Sequence, residues 1–208
     1  MERYPLLRKP TVFIVDDDGA VRDSLSLLMR SAGLSSETFA GAREFLAEVT
    51  ADRPGCLVLD VRMPEIDGLE LQRQLAARGS RLPIIMLTGH GDVPLAVEAL
   101  RAGAIDFLTK PFDSQALLTR IHEAIALDER ARQKHLDRDR IKALLDTLTP
   151  REIEVVDCVV RGLSSKSIAA ALGSSFNTVQ NQRASILRKM QAESSADLVR
   201  MVMIARAE

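Results

Sequence analysis

Five times in its first half the chain passes from a short apolar run into an amphipathic stretch, and this alternation constrains the fold more than any other feature. Thr11-Val12-Phe13-Ile14-Val15 is rich in β-branched residues and stops abruptly at Asp16-Asp17-Asp18-Gly19. Val21, Leu25, Leu28 and Met29 then recur at helical spacing, and Gly33 closes the stretch. Residues 36–39, 56–59, 83–87 and 106–108 read as further strands. The stretches 42–49, 69–77, 93–102 and 114–126 read as the intervening and final helices. Strands alternating with helices need crossover connections. The expected fold of this half is therefore α/β, a doubly wound, five-stranded parallel sheet covered on both faces.

From Leu148 onward there is no strand pattern. Pro150 suits a first helical turn, with Thr149 as N-cap and Glu152 as its reciprocal partner. Ile153, Val156 and Val160 are expected on the inner face of that helix, which Gly162 ends. Residues 165–172 form a short second helix. A third, capped by Ser175 or Asn177, runs over 176–190 with Val179, Ile186 and Met190 inward and Leu187 at the edge. A fourth spans 195–205, with Leu198, Val199, Val202 and Met203 inward. Short helices with a tight turn before the third describe an all-α helix-turn-helix unit. Between the halves, residues 132–140 hold Leu136 as their one apolar side chain, and a solvated continuation of the fifth helix is expected. The expected domains are thus 10–127, a helical linker 128–146, and 147–208.

Charge separates the same halves. The whole chain is nearly neutral, at −1, but residues 1–126 carry 14 Lys and Arg against 18 Asp and Glu, and residues 127–208 carry 14 against 11. An acidic front and a basic back imply different partners. Cys56 and Cys158 sit in apolar runs without metal-ligand spacing and read as buried free thiols of a reducing compartment. The residues after Met1 lack the apolar core of a signal peptide, and no run approaches the ~20 residues that span a bilayer. A cytoplasmic protein without a membrane partner is expected.

Open α/β sheets bind ligands beyond the carboxyl ends of their strands. The residues there are Asp16, Asp17, Asp60, Thr88 and Lys110. Converging carboxylates repel unless a cation lies among them, and oxygen-only donors favour a hard ion such as Mg²⁺. A carboxylate beside Mg²⁺ can act as a nucleophile towards a phosphoryl group, with a hydroxyl and an ammonium holding its oxygens.

In this joint pattern residues 10–127 resemble the receiver domain of response regulators, a flavodoxin-like fold. The resemblance implies that Asp60 accepts a phosphoryl group from the phosphohistidine of a sensor histidine kinase. It implies Mg²⁺ on Asp17, Asp60 and the backbone carbonyl of Arg62, with Asp16 acting mainly through water. Thr88 and Lys110 would bind the phosphoryl oxygens, Gly89 would leave room for them, and Phe107 would be the aromatic switch. It also implies a cis bond between Lys110 and Pro111. His90 lies beside this cluster and reads as a surface-loop residue. A competing reading takes Asp16-Asp17-Asp18-Gly19-Ala20 as the motif of haloacid-dehalogenase-type phosphatases, with Asp16 as nucleophile and Asp18 as general acid. Against it, Ala20 stands where Thr or Val is expected and no paired acidic motif follows Lys110.

In the second half Leu148-Thr149-Pro150-Arg151-Glu152, Gly162-Leu163, Ile168-Ala169, Leu172-Gly173, Thr178-Val179 and Ile186-Leu187-Arg188-Lys189 resemble the LuxR/NarL-type DNA-binding domain. Together the halves resemble FixJ/NarL two-component regulators. Thr88-Gly89-His90-Gly91-Asp92-Val93-Pro94 and Ala102-Gly103-Ala104 point to the FixJ branch. The resemblance implies a phosphorylation-activated transcription regulator rather than an enzyme, with no catalytic residues. It would form a homodimer on phosphorylation and have promoter DNA and RNA polymerase as partners. Lys166, Asn177, Thr178, Gln180, Asn181, Arg183, Ala184, Arg188 and Lys189 are the candidate DNA contacts, since Gln and Asn can bond base edges and Arg can bond guanine or phosphate. Ser165 could hold phosphate beside Lys166. A phospho-relay or scaffold protein whose last helices bind protein is the remaining alternative.

Overall fold

The computed structural model describes residues 9–50, 52–89 and 93–206. They divide into two units, one ending at Ala131 and the other beginning at Arg132. In the first unit the order is β1 (Thr11–Val15), α1 (Gly19–Ser31), β2 (Ser35–Phe39), α2 (Ala42–Glu48), β3 (Gly55–Asp60), α3 (Gly68–Ala77), β4 (Ile84–Thr88), α4 (Val93–Arg101), β5 (Asp106–Thr109) and α5 (Ser114–Leu145), whose end enters the second unit. All strands are parallel, in the order β2-β1-β3-β4-β5. The α/β expectation is met.

Side chains alternate across a strand, so each central strand feeds two cores. Phe13, Val15, Leu57, Leu59, Ile84 and Met86 pack with Phe45 of α2, Leu69 and Leu75 of α3 and Ala99 of α4. Their neighbours Val12, Ile14, Val58, Ile85 and Leu87 pack with Leu25 and Met29 of α1 and Leu117, Ile121 and Ala124 of α5. Burial on both faces explains the unbroken apolar runs in the sequence. Cys56 and Cys158 are buried and free. Gly55 has φ 141°, and a Cβ there would lie 1.8 Å from the Thr11 carbonyl oxygen. Only glycine lets β3 start so close to β1.

α5 runs on to Leu145. Asp128 is buried and accepts the Gly55 N–H at 2.9 Å, and Ile141 is buried among the helices of the second unit. The residues between are mostly exposed, as their polarity requires. The second unit continues with α6 (Pro150–Val160), α7 (Ser165–Ala171), α8 (Phe176–Met190) and α9 (Ser195–Arg206). The Thr149–Glu152 capping box and Pro150 start α6 as expected, and Ser175 rather than Asn177 caps α8.

Two inner faces differ from expectation. α6 buries Glu152, Val155, Val156, Cys158 and Val159 and leaves Ile153 exposed and Val160 half-buried. α9 buries Leu198, Met201, Val202 and Ala205, while Met203 is exposed. Apolar residues nearly encircle both helices, so more than one helical stripe is available, and packing against neighbouring helices selects among them.

Candidate functional site

The strand order reverses between β1 and β3, the position where such sheets bind ligands. Val15 pairs with Leu59, so the next residue on each strand line, Asp16 and Asp60, come side by side. Lys110 follows β5 and reaches both: its Nζ donates to Asp16 Oδ2 at 2.6 Å and to Asp60 Oδ1 at 2.5 Å. Asp16 and Asp60 are buried, and Asp16 Oδ1 also accepts the Asp18 N–H at 3.0 Å. The Arg62 backbone N–H bonds the Asp60 carboxylate. Lys110 is placed by its own N–H on the Thr88 carbonyl (2.7 Å) and precedes the cis peptide to Pro111. Thr88 ends β4, is buried, and its hydroxyl donates to the Gly89 carbonyl at 3.4 Å.

Burial raises the Asp60 carboxyl above the ordinary value, and the neighbouring Asp16 charge adds to this; the Lys110 bonds oppose it without cancelling it. Burial disfavours the Lys110 ammonium, but the bonds from Asp16 and Asp60 outweigh this and its pKa lies above the ordinary lysine value. Asp17 is exposed and lines a cavity of about 450 Å³ with Arg62, Met63, Asp67 and Leu95. Among the described residues, no three His, Cys, Asp or Glu side chains are drawn together as a ready metal cage. The donor chemistry nevertheless fits a hard cation. Two buried carboxylates already share one positive charge, and a third stands at the rim of the adjoining cavity.

Phe107 is partly buried against the core that holds Met86 and Ala99. The site thus gathers Asp16, Asp60, Lys110 and, through the backbone, Arg62 and Thr88. His90 lies outside the described residues. The Asp18 carboxylate accepts the Ala20 N–H at 2.8 Å and caps α1. Two supporting residues were not singled out from the sequence. Arg22 donates to the Asp16 carbonyl at 2.7 Å and steadies the acidic loop. Gly68 backs the end of β3, where a Cβ would lie 2.4 Å from the Asp60 carbonyl oxygen. The Pro64-Glu65-Ile66-Asp67-Gly68 turn was the available signal for it.

In the second unit α8 buries Val179, Ile186 and Met190 as expected. Asn177, Thr178, Gln180, Asn181, Ala184 and Arg188 are exposed, as is Lys166 on α7. Thr178 is engaged at the helix cap, its hydroxyl 2.8 Å from Ser175 Oγ. Arg183 is half-buried and ties α8 to its neighbours through Ser195 Oγ (2.7 Å) and Ser165 Oγ (3.3 Å). Lys189 is half-buried. Its ammonium pairs with the buried Glu152 carboxylate at 2.7 Å, which Ser185 Oγ and the Thr149 N–H also bond. Burial works to raise the Glu152 carboxyl, but these bonds, Lys189 first, hold it down at about 2.

Known proteins carry the same two parts. The family described as response regulator receiver domain matches residues 12–122, and the bacterial regulatory proteins of the luxR family match residues 146–202. The chain is 45% identical over 194 residues to the response regulator protein TodT of Pseudomonas putida, covering 93% of this chain and 86% of TodT. It is 45% identical over 195 residues to the transcriptional regulatory protein FixJ of Azorhizobium caulinodans, covering 93% and 92%. Among solved structures, the response regulator StyR matches at 46% identity and TM-score 0.84, covering 93% of this chain and 98% of StyR. Full-length FixJ from B. japonicum matches at 43% identity and TM-score 0.58, covering 95% and 97%.

Proposed function

The chain belongs to the response regulators that join a receiver to a LuxR-type DNA-binding domain, phosphorylation-activated transcription regulators close to FixJ, and on that premise we propose how its own residues perform each step. Asp60 is the phosphoacceptor. One carboxylate oxygen attacks the phosphorus of a kinase phosphohistidine, a P–O bond forms, and the P–N bond breaks with its electron pair leaving on the imidazole. Lys110 and Thr88 hold the phosphoryl oxygens as charge develops on them.

Mg²⁺ is the cofactor, which Asp17, Asp60 and the Arg62 carbonyl would hold directly and Asp16 through water; when bound it neutralises phosphoryl charge and keeps Asp60 ionised. The observation that carries this reading is the Lys110 ammonium, 2.6 Å from Asp16 and 2.5 Å from Asp60 at the switch point of the sheet.

Phosphorylation adds nearly two negative charges at Asp60. Thr88 moves to bond them, and Phe107 swings into the space it leaves. The surface of α4 and β5 changes and pairs two receivers into a homodimer, shifting the population towards the DNA-binding form. Lys166, Asn177, Gln180, Asn181, Ala184 and Arg188 face promoter DNA, Arg183 and Thr178 position them, and Lys189 pairs with Glu152 at the edge of that face. The domains are 10–127 and 147–208, with 128–146 between them. The protein works in the cytoplasm beside RNA polymerase and turns over no substrate of its own.

Exposure of the full chain to acetyl phosphate and Mg²⁺ should add one phosphoryl group, read by intact mass and removed by hydroxylamine. Asp60→Asn should add none. A phosphoryl group retained on Asp60→Asn protein would overturn the assignment.

A further inference from the structure

The first turn of α8 displays an aromatic ring to solvent. All six phenylalanines of the chain lie among the described residues. Phe13, Phe39 and Phe45 are buried and Phe107 and Phe112 partly buried, while Phe176 is 44% exposed. A lone exposed apolar side chain is ordinary on most surfaces. Phe176 differs by its place. It is the first residue of α8, next to the cap Ser175, and Gln180 is its i,i+4 neighbour on the same exposed face. The N-terminal residues of a recognition helix are the ones that meet base edges.

The orientation of Gln180 follows from its neighbours. Arg183 Nη1 donates to Ser165 Oγ at 3.3 Å, and Ser165 Oγ donates to Gln180 Oε1 at 3.2 Å. The guanidinium donates to the hydroxyl, and the hydroxyl gives its one hydrogen to the Gln180 carbonyl oxygen. Gln180 receives at its carbonyl oxygen and keeps its amide hydrogens for the open side. One lone pair of that oxygen is engaged by Ser165, so the amide hydrogens are the group that Gln180 offers most freely to a base edge.

We propose that Phe176 and Gln180 together read thymine in the major groove. Thymine presents an acceptor, O4, beside a 5-methyl group, whereas cytosine presents a donor where O4 would be. The Gln180 amide donates to O4 and the Phe176 ring covers the methyl. This rests on the reading of α8 as the recognition helix, and the test separates the two.

The full chain, treated with acetyl phosphate and Mg²⁺, first selects binding sites from a duplex pool with a randomised centre. Each thymine of the selected duplex is then replaced singly by deoxyuridine, which lacks only the methyl, or by cytosine paired with guanine. At one or more positions the wild-type chain should lose about fourfold in affinity with deoxyuridine, the value of one buried methyl. Phe176→Ala should bind the thymine and deoxyuridine duplexes alike. Gln180→Ala should keep the methyl effect there and lose most of the preference for thymine over cytosine. Selection of a sequence with no methyl effect anywhere overturns this proposal alone. So does a methyl effect that survives in Phe176→Ala, which would leave the ring to a protein contact. Failure to select any sequence defeats the recognition-helix reading and this proposal with it.

Discussion

Each unit of the molecule contains a buried carboxylate paired with a lysine, and the two pairs behave in opposite ways. Asp60 lies 2.5 Å from Lys110 and Glu152 lies 2.7 Å from Lys189. Yet burial raises the Asp60 carboxyl, while Glu152 is held down at about 2. The difference is the company each keeps. Asp60 shares its lysine with a second buried carboxylate, Asp16. Glu152 has Lys189 without such a rival and adds a hydroxyl and a capping backbone N–H. A carboxylate whose bonds are satisfied holds helices together. One left short of positive charge is poised to take a cation and a phosphoryl group.

This contrast can be broken by experiment, starting with the largest effect. Asp60→Asn should abolish phosphoryl uptake from acetyl phosphate, whereas Glu152→Gln should leave uptake by the receiver intact; equal loss in both would erase the distinction. Glu152→Gln should instead destabilise the second unit by about 2–3 kcal/mol in urea unfolding, because a charged, hydrogen-bonded partner of Lys189 is lost.

The acid limb sharpens the point. The folded-state pKa of Glu152, about 2, lies below the ~4.3 of an unfolded chain, so its contribution is complete above that unfolded value and disappears as pH falls towards the folded one. Stability of the second unit should therefore fall from about pH 5 to pH 2 in the wild type, and more shallowly in Glu152→Gln.

Asp60 has the opposite sign. Its raised folded-state pKa means that ionisation opposes folding, so without Mg²⁺ Asp60→Asn should stabilise the receiver at pH 7 relative to wild type, with the gain vanishing at pH 3. A thermal melt at both pH values reads this. The smallest effect concerns the helix surface. On non-specific duplex DNA, Arg188→Ala should reduce the slope of log affinity against log salt by about 1, while Lys189→Met should leave the slope unchanged and lower stability.

Much of the site was legible because it is local. Asp16, Asp60, Thr88 and Lys110 each stand at the end of an apolar run, and a parallel sheet brings such ends to one edge whatever the details of packing. The inner face of α8 was legible for a similar reason: Val179, Ile186 and Met190 stand out against polar neighbours. The inner faces of α6 and α9 were not, because apolar residues nearly encircle those helices and 3.6-residue periodicity leaves more than one stripe open. The Lys189–Glu152 pair was not legible for a different reason. A cation next to Arg188 near the end of a recognition helix looks like a phosphate contact, and its buried partner, Glu152, sits 37 residues away.

The sequence by itself determined the alternation of strands and helices, the residues at the strand ends and the polar face of α8, because each depends on neighbours only a few positions apart along the chain. Tertiary structure alone decided that Lys110 bridges two carboxylates, that Lys189 pairs with Glu152, that Gly55 and Gly68 must lack a side chain and that Arg183, Ser165 and Gln180 form a hydrogen-bonded chain. Those outcomes follow from the close approach of segments distant in the chain. There a few tenths of an ångström and the count of donors per carboxylate select among arrangements that local pattern leaves equivalent.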